Sequence, residues 1–335
     1  MNLKSLLRRL VRVVPYPVRA AVLDLQPRQL RRNRLVADHL RLPEEPHISW
    51  LDRLLVRNLN YVRRRADVTE QIWGITVVRN EEDIIGFTIE HLLAEGIDHV
   101  MIADNLSDDG TLEVLKDMAL RFPVTVLEDR LDAHYQGTKM TLLARWASAH
   151  GARWIIPFDA DELWYSSSGR LRDVLDQASA RVAIAQMWGH VPVGTDDEQE
   201  QNPYRRIRMR AATRLDATKV AFRAHPWARV FDGNHSVRVP GARACLLEIR
   251  HFPYRDNAQM LKKLKLGGKA LEATDLQRGT GYHWRRLSAL DDEQILEQVR
   301  SGSTGLTHPD PNDRLLDDLA PFRPMAGQDN RLGQG

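Results

Sequence analysis

Apolar residues recur at helical spacing in the first fourteen positions. Leu3, Leu6, Leu7, Leu10, Val13 and Val14 share one face, Lys4, Arg8, Arg9 and Arg12 lie mostly between them, and Pro15 and Pro17 end the run. Such a short basic amphipathic helix either lies on an anionic membrane surface or packs its apolar face on the protein's own body. Residues 27–65 continue helical and basic. From residue 72 the pattern changes. Short apolar runs at 75–78, 99–103, 124–127 and 154–158 read as strands. Between them, 82–95, 111–121 and 137–150 read as helices, with Ile85, Ile89, Leu92 and Leu93, then Leu112, Leu115 and Ala119, then Met140, Leu143, Ala144 and Ala147 on their buried faces. Strands alternating with helices of this length predict an α/β fold with a mainly parallel sheet and helices on both faces. The near-continuous apolar character of the strands fits burial on two sides.

The second half is less regular. Residues 181–188, 219–222 and 246–251 read as strands, and 229–237 as a hairpin with Gly233-Asn234 in its turn. A helix follows, with Met260, Leu261, Leu264 and Leu271 as its buried face. The polar, aperiodic stretch 195–205 reads as a surface loop, and the Gly-, Pro- and Asp-rich residues beyond 302 as a flexible tail. The expected organisation is a basic helical extension over 1–70, a ligand-binding half over 71–180, a mixed half over 181–300 and a flexible tail over 301–335.

Composition narrows the picture. The chain has 335 residues, 43% hydrophobic and 28% charged, enough to bury a sizeable core. Its one cysteine, Cys245, excludes an intrachain disulfide and points to a reducing compartment. No apolar run approaches the ~18 residues of a membrane span, and the opening residues lack the pattern of a secretory signal. The expectation is a cytoplasmic protein, membrane-associated at the inner face if residues 1–20 bind lipid. Residues 1–65 carry 15 Lys/Arg against 5 Asp/Glu, while the whole chain is +3, so the rest is net negative. The basic arm therefore suits an anionic partner. Nucleic acid is not expected, because Arg63-Arg64-Arg65 comes with no recognition motif and no interleaved aromatics.

In parallel sheets ligands bind at the carboxyl ends of the strands. Those ends carry Arg79-Asn80-Glu81-Glu82-Asp83, Asp104-Asn105 with Ser107-Asp108-Asp109-Gly110, Glu128-Asp129-Arg130, and Asp159-Ala160-Asp161-Glu162. So many carboxylates on one rim repel each other unless a cation sits among them. Two aspartates spaced as Asp159-x-Asp161 can hold Mg²⁺ or Mn²⁺ through oxygen, bridging to diphosphate and neutralising charge on a leaving group. About two such triplets arise by chance in a chain this acidic, so position carries the signal. The alternative is a helix start capped by Asp161-Glu162.

The segment ITVVRNEEDIIGFTIEHLLAEGIDHVMIADNLSDDGTLEVL, with GTKMTLLARWA and WIIPFDADELW, resembles the family 2 glycosyltransferases and their GT-A relatives, in the branch with Asp-Ala-Asp-Glu. The resemblance covers about residues 72–165 well and 219–285 loosely. It implies a GT-A fold and transfer of a sugar from a nucleotide-sugar donor to an unidentified glycan, lipid-linked or other acceptor. It implies that Asn80 and Glu81 belong to the donor site, that Asp104 contacts the nucleoside, and that Asp108 serves the following turn, where it also suits a cap on the helix opened by Gly110-Thr111. It further implies that Lys139 approaches the donor phosphates, Asp159 the ribose and the metal's waters, and Asp161 the metal itself. A histidine completes the metal site in many such enzymes. His251, ending a strand before a loop, fits best, ahead of His235 and His225. The Glu-Asp pair that supplies the base in inverting relatives is absent after Asp161. Asp232, Glu198 and Asp256 are the candidates, Asp232 preferred for its place in a turn near His235. Gly281-Tyr282-His283-Trp284-Arg285 resembles a short acceptor-side segment or is an aromatic packing corner. Two other functions compete. A sugar nucleotidyltransferase needs a glycine-rich loop after the first strand, and RNEED offers no glycine before Gly86. A non-catalytic protein that binds membrane or polyanion surfaces through its arm, on a degenerate GT-A scaffold, is the other.

Overall fold

A computed structural model of the chain describes residues 15, 16, 18, 20, 24–43, 50–59, 69–276, 282–300 and 313–325. The amphipathic stretch 1–14, the arginine run 63–65, Gly281 and the last ten residues lie outside them. In chain order the elements are α1 (Pro27–His39), β1 (Leu40–Arg41), α2 (Trp50–Leu59), β2 (Ile72–Val78), α3 (Ile85–Ala94), β3 (His99–Asp104), α4 (Thr111–Arg121), β4 (Val124–Asp129), α5 (Gln136–Ala149) and β5 (Trp154–Pro157). There follow β6 (Glu162–Tyr165), α6 (Leu171–Gln177), β7 (Val182–Gly189), β8 (Met209–Ala211), β9 (Thr218–Arg223), β10 (Arg229–Val230), β11 (Val237–Arg238), β12 (Arg243–His251), α7 (Asn257–Glu272), α8 (Tyr282–Leu287), α9 (Asp292–Arg300) and β13 (Leu315–Asp317).

Nine strands form one sheet in the order β1-β4-β3-β2-β5-β9-β7-β12-β6. β4, β3, β2 and β5 run parallel, as do β7 and β12, while β1, β9 and β6 run against their neighbours. Side chains alternate between the two faces. Ile72 and Ile102 face a core built with Ile85, Ile89 and Leu92 of α3, Leu115 of α4 and Leu171 of α6. Trp73, Ile75, Met101 and Ala103 face the other core, with Met140, Leu143, Ala144 and Ala147 of α5 and Val36 of α1. This is the mainly parallel sheet, helices on both faces, that the GT-A resemblance implies.

Helix α5 is buried on every side from Gly137 to Ala149, because α1 and its approach cover its outer face. Arg145 forms a buried ion pair with Asp24 at 3.0 Å, and the Tyr16 hydroxyl donates to the Trp227 carbonyl at 2.8 Å. The described part of the N-terminal extension thus packs on the body.

Among the elements that differ from the sequence expectation are three strands. β1 is only two residues long, too short to show alternation. β6 follows the Asp-Ala-Asp motif directly, and its four residues are all buried on the sheet edge against β12. A strand therefore stands where a capped helix was the alternative reading of Asp161-Glu162. In the segment expected to be a flexible tail, β13 pairs with β8. Ion pairs from Arg208 to Asp317 and from Arg210 to Asp318 hold it there.

Two buried histidines belong to this framework. His91 Nε2 donates to the Trp164 carbonyl at 2.7 Å while Nδ1 accepts the Arg323 N–H at 3.0 Å, a neutral tautomer fixed from both sides. His190 Nδ1 donates to the Ile207 carbonyl at 2.9 Å and its Nε2 is buried without a hydrogen-bond partner among the described residues. Burial pushes each down to about 4.

Candidate active site

The carboxyl ends of β2 and β5, the hairpin and helix α7 enclose a cavity of about 1020 Å³. Asn80, Glu81, Asp159, Asp161, Asp232 and His251 all reach its wall, as do Lys219 and Lys263. The strand ends thus bring together most of the acidic residues singled out from the sequence.

Each carboxylate already has a defined set of partners. Asp159 Oδ1 accepts from Gln136 Nε2 at 3.1 Å and Asn234 Nδ2 at 3.0 Å, and Oδ2 accepts from Lys219 Nζ at 2.5 Å. Lys219 also pairs with Glu162 at 2.7 Å. Burial opposes the charge on Lys219, but Asp159 and Glu162 outweigh it and hold its pKa above the usual lysine value. Asp161 Oδ2 accepts from Lys263 Nζ at 2.5 Å, and its Oδ1 lies 3.6 Å from His251 Nε2. Burial works against ionised Asp161, yet Lys263 and His251 overcome it and keep its pKa well below the carboxylate range. Glu81 accepts from the same Lys263 ammonium at 2.9 Å and from Arg255 Nη2 at 2.5 Å. Arg255, fully buried, also forks onto Asp83 and donates to the Phe252 carbonyl at 3.1 Å.

Asn80 takes the left-handed conformation at φ 58°, which asparagine tolerates better than most residues. Its Oδ1 accepts the Asp108 N–H at 2.9 Å, joining the loops after β2 and β3. Asp104, at the end of β3, is buried, and burial raises its pKa despite the Ser107 contacts. It does not line the cavity, but its Oδ1 has no hydrogen-bond partner among the described residues.

Several sequence expectations are corrected. The N-cap of α4 is Gly110, with no side-chain cap, and the turn before it is held by Asp109, whose Oδ1 accepts the Thr111 N–H at 2.9 Å and its hydroxyl at 2.5 Å. Asp108 is exposed and pairs with Lys262 at 2.7 Å. Replacing Asp109 with alanine is expected to cost about 1 kcal/mol and Asp108 less than half as much. Urea unfolding of the two variants checks this, and equal losses would refute the assignment. Lys139 is not solvated: it reaches the cavity wall but is buried, pairs with Asp129 at 2.6 Å and donates to the Leu131 carbonyl at 2.9 Å. Asp256 caps α7 through the Gln259 N–H at 2.9 Å, and Glu198 is exposed away from the cavity. His235 bonds the Thr218 carbonyl at 2.9 Å, and His225 receives the Trp227 N–H. Asp232 accepts the Gly137 N–H at 2.8 Å through Oδ1, while Oδ2 makes no hydrogen bond among the described residues. Gly137 is needed there, because a Cβ at that position would lie 2.8 Å from the Asp232 nitrogen.

Of the expected metal set, Asp161 and His251 come together at 3.6 Å, but Asp159 does not join them. Asp159 is turned to Lys219, and the place a cation would take between Glu81 and Asp161 is filled by the Lys263 ammonium. No group of three His, Cys, Asp or Glu side chains suited to a metal ion converges among the described residues. Mg²⁺ or Mn²⁺ between Glu81 and Asp161 Oδ2 would have to displace Lys263, and the other side offers only Asp161 Oδ1 and His251 Nε2, two ligands where a divalent ion needs more, so the residues present fit a divalent ion poorly. Lys219, Lys263 and Arg255 were missed because lysine and arginine in a helix or strand carry no local sign of their partners. The adjacent Lys262-Lys263 on the predicted helix was the only available signal.

Residues 75–232 match the family model described as Glycosyl transferase family 2. No curated protein matches the chain. Among solved structures, S. aureus TarS 1–349 is 13% identical, with 70% of this chain and 74% of that one covered and a TM-score of 0.35. The same protein in complex with UDP-GlcNAc is 12% identical over 70% of this chain and 75% of that one, also at 0.35. HddC from Yersinia pseudotuberculosis is 10% identical over 37% and 64%, at 0.26. Among the described residues no helix is long and apolar enough to cross a membrane.

Proposed function

We propose that this chain, which carries a glycosyl transferase family 2 domain over residues 75–232, moves a sugar from a nucleotide-sugar donor to an acceptor hydroxyl with inversion at the anomeric carbon. The observation that carries this reading is the cavity at the carboxyl edge of the parallel strands, with Asn80, Glu81, Asp159 and Asp161 on one wall and Asp232 on another. Ligands of doubly wound sheets sit at that edge.

The chemistry needs a base near the acceptor oxygen and a stabilised diphosphate leaving group. Asp232 fits the first. The Gly137 N–H fixes its orientation through Oδ1, and Oδ2 is left to take the acceptor's proton as the oxygen attacks the anomeric carbon and the bond to the diphosphate breaks. Asp232→Asn keeps the oxygen that the Gly137 N–H needs and loses the base. It is expected to lower turnover by about 10²–10⁴-fold with donor binding unchanged. Unchanged turnover would remove Asp232 from this role.

The donor assignment is tested by a thermal-shift screen of UDP, GDP, CDP and ADP and their sugar derivatives on the full chain, with and without Mn²⁺. A ligand at about 100 times its Kd stabilises the fold by about 2.7 kcal/mol. The expected result is a raised midpoint with one base and its sugar derivatives. A midpoint unmoved by every nucleotide would overturn the reading.

A further inference from the structure

The cation in this site comes from the chain. We propose that the ammonium of Lys263 takes the place of a divalent metal ion and holds the donor's diphosphate directly, oriented for that task by Glu81 and Asp161. This deepens the glycosyltransferase reading and rests on it.

The geometry supports the assignment in three steps. The ammonium has three N–H donors. Two are used, toward Glu81 Oε1 at 2.9 Å and Asp161 Oδ2 at 2.5 Å. The third is free for a ligand, and Lys263 lines the cavity with its side chain 20% exposed. Lys219 makes the same kind of bridge between Asp159 and Glu162, but its side chain is only 4% exposed and serves the fold instead. Second, the two carboxylates pin the ammonium in place while Arg255 shares the charge on Glu81 and takes that on Asp83, so what Lys263 offers a ligand is a fixed, charge-assisted N–H donor and not an excess of positive charge. Third, Lys263 stays charged throughout the working range. Its burial disfavours the cation, but Asp161 and Glu81 more than offset that. A pre-oriented charged donor stabilises an anionic leaving group without reorganising when the bond breaks.

The arrangement brings one directed donor, its charge shared with two carboxylates, where a divalent ion would bring two positive charges. Binding should therefore be moderate in strength and weaken as salt rises, since a single exposed-side contact to phosphate is readily screened.

The test is calorimetric titration of the full chain with UDP and with inorganic pyrophosphate, each in excess EDTA and in MnCl₂. Pyrophosphate probes the diphosphate subsite whichever base the donor carries. Binding is expected to persist in EDTA, and Lys263→Gln to weaken it by about tenfold or more, the weight of one hydrogen bond to a charged group. Lys263→Arg should restore part of the loss, and Lys262→Gln, at the exposed rim, should change it by less than about threefold. The wild-type EDTA titration needs no variant, so a Lys263 variant that fails to fold leaves the proposal testable. Binding that appears only with Mn²⁺, or that is undiminished in folded Lys263→Gln, would overturn the lysine's role while leaving the donor site in place. No binding of UDP or pyrophosphate in either buffer, together with a flat nucleotide screen, would overturn the glycosyltransferase reading itself.

Discussion

Arg255→Met is expected to destabilise the fold by about 3 kcal/mol, toward the lower end of what breaking a buried ion pair costs. The guanidinium is wholly buried and ties the loop after β12 to the loop after β2 through Glu81 and Asp83. Methionine fills similar volume but leaves Glu81 with Lys263 alone and Asp83 with no cation. The loss stops short of the full penalty because Glu81 keeps its 2.9 Å contact to Lys263 and Asp83 is 36% exposed. Arg255→Lys should recover less than half, since a point charge cannot fork onto two carboxylates and a carbonyl. Urea unfolding of both variants decides the matter. A midpoint for Arg255→Met equal to wild type would show that the pair contributes nothing, and full rescue by lysine would show that geometry is irrelevant.

Acidification is expected to act through His91 and His190. A histidine kept neutral by burial binds its proton more weakly folded than unfolded. The stability carried by the neutral form is complete above about pH 6.5 and drains away as pH falls from there toward 4. Two and a half units correspond to about 3 kcal/mol for each ring. At His91 the proton must also displace the Arg323 N–H from Nδ1, so acid should free residues 320–325 from the core before the body unfolds. The check is the urea midpoint from pH 7 to pH 4.5 for wild type and for His190→Gln. The variant should lose part of the wild-type slope, since burial also lowers His99, His134 and His235, and parallel slopes would refute the assignment.

The alternating half of the molecule was readable from the residues because each strand and helix there is set by its own period. Ile75, Ile89, Leu115 and Met140 fall where hydrophobic spacing puts them. The acidic rim was readable for the same reason, since Glu81, Asp159 and Asp161 follow strands that end where the apolar runs end. What neutralises the rim was not. Lys219, Arg255 and Lys263 lie 60, 174 and 102 positions from Asp159, Glu81 and Asp161, and only the folded chain brings them together. Lys139 shows the converse. The family resemblance implied phosphate for it, but the turn of α5 directs it to Asp129, which hydrophobic periodicity does not report. β6 was missed because Glu162-Leu163-Trp164-Tyr165 is buried on both faces and so has no alternation to show.

Helices α7, α8 and α9 have an oily interior of their own, made of Tyr254, Met260, Leu264, Leu287, Ile295 and Val299 and separate from the two cores that flank the sheet. Gly267 lets Trp284 lie directly on α7, since a Cβ there would collide with the indole. Many of the fasteners between this block and the rest are charged: Lys262 to Asp108, Lys263 to Asp161, Arg255 to Glu81, and Arg32 to Asp275. Electrolyte loosens the more exposed of these, Lys262 to Asp108 and Arg32 to Asp275, and leaves the buried pairs and the oily contacts nearly alone. The roof over the cavity should therefore grip less firmly in brine than in dilute buffer, and an incoming polyanion that engages Lys263 would change its grip from within.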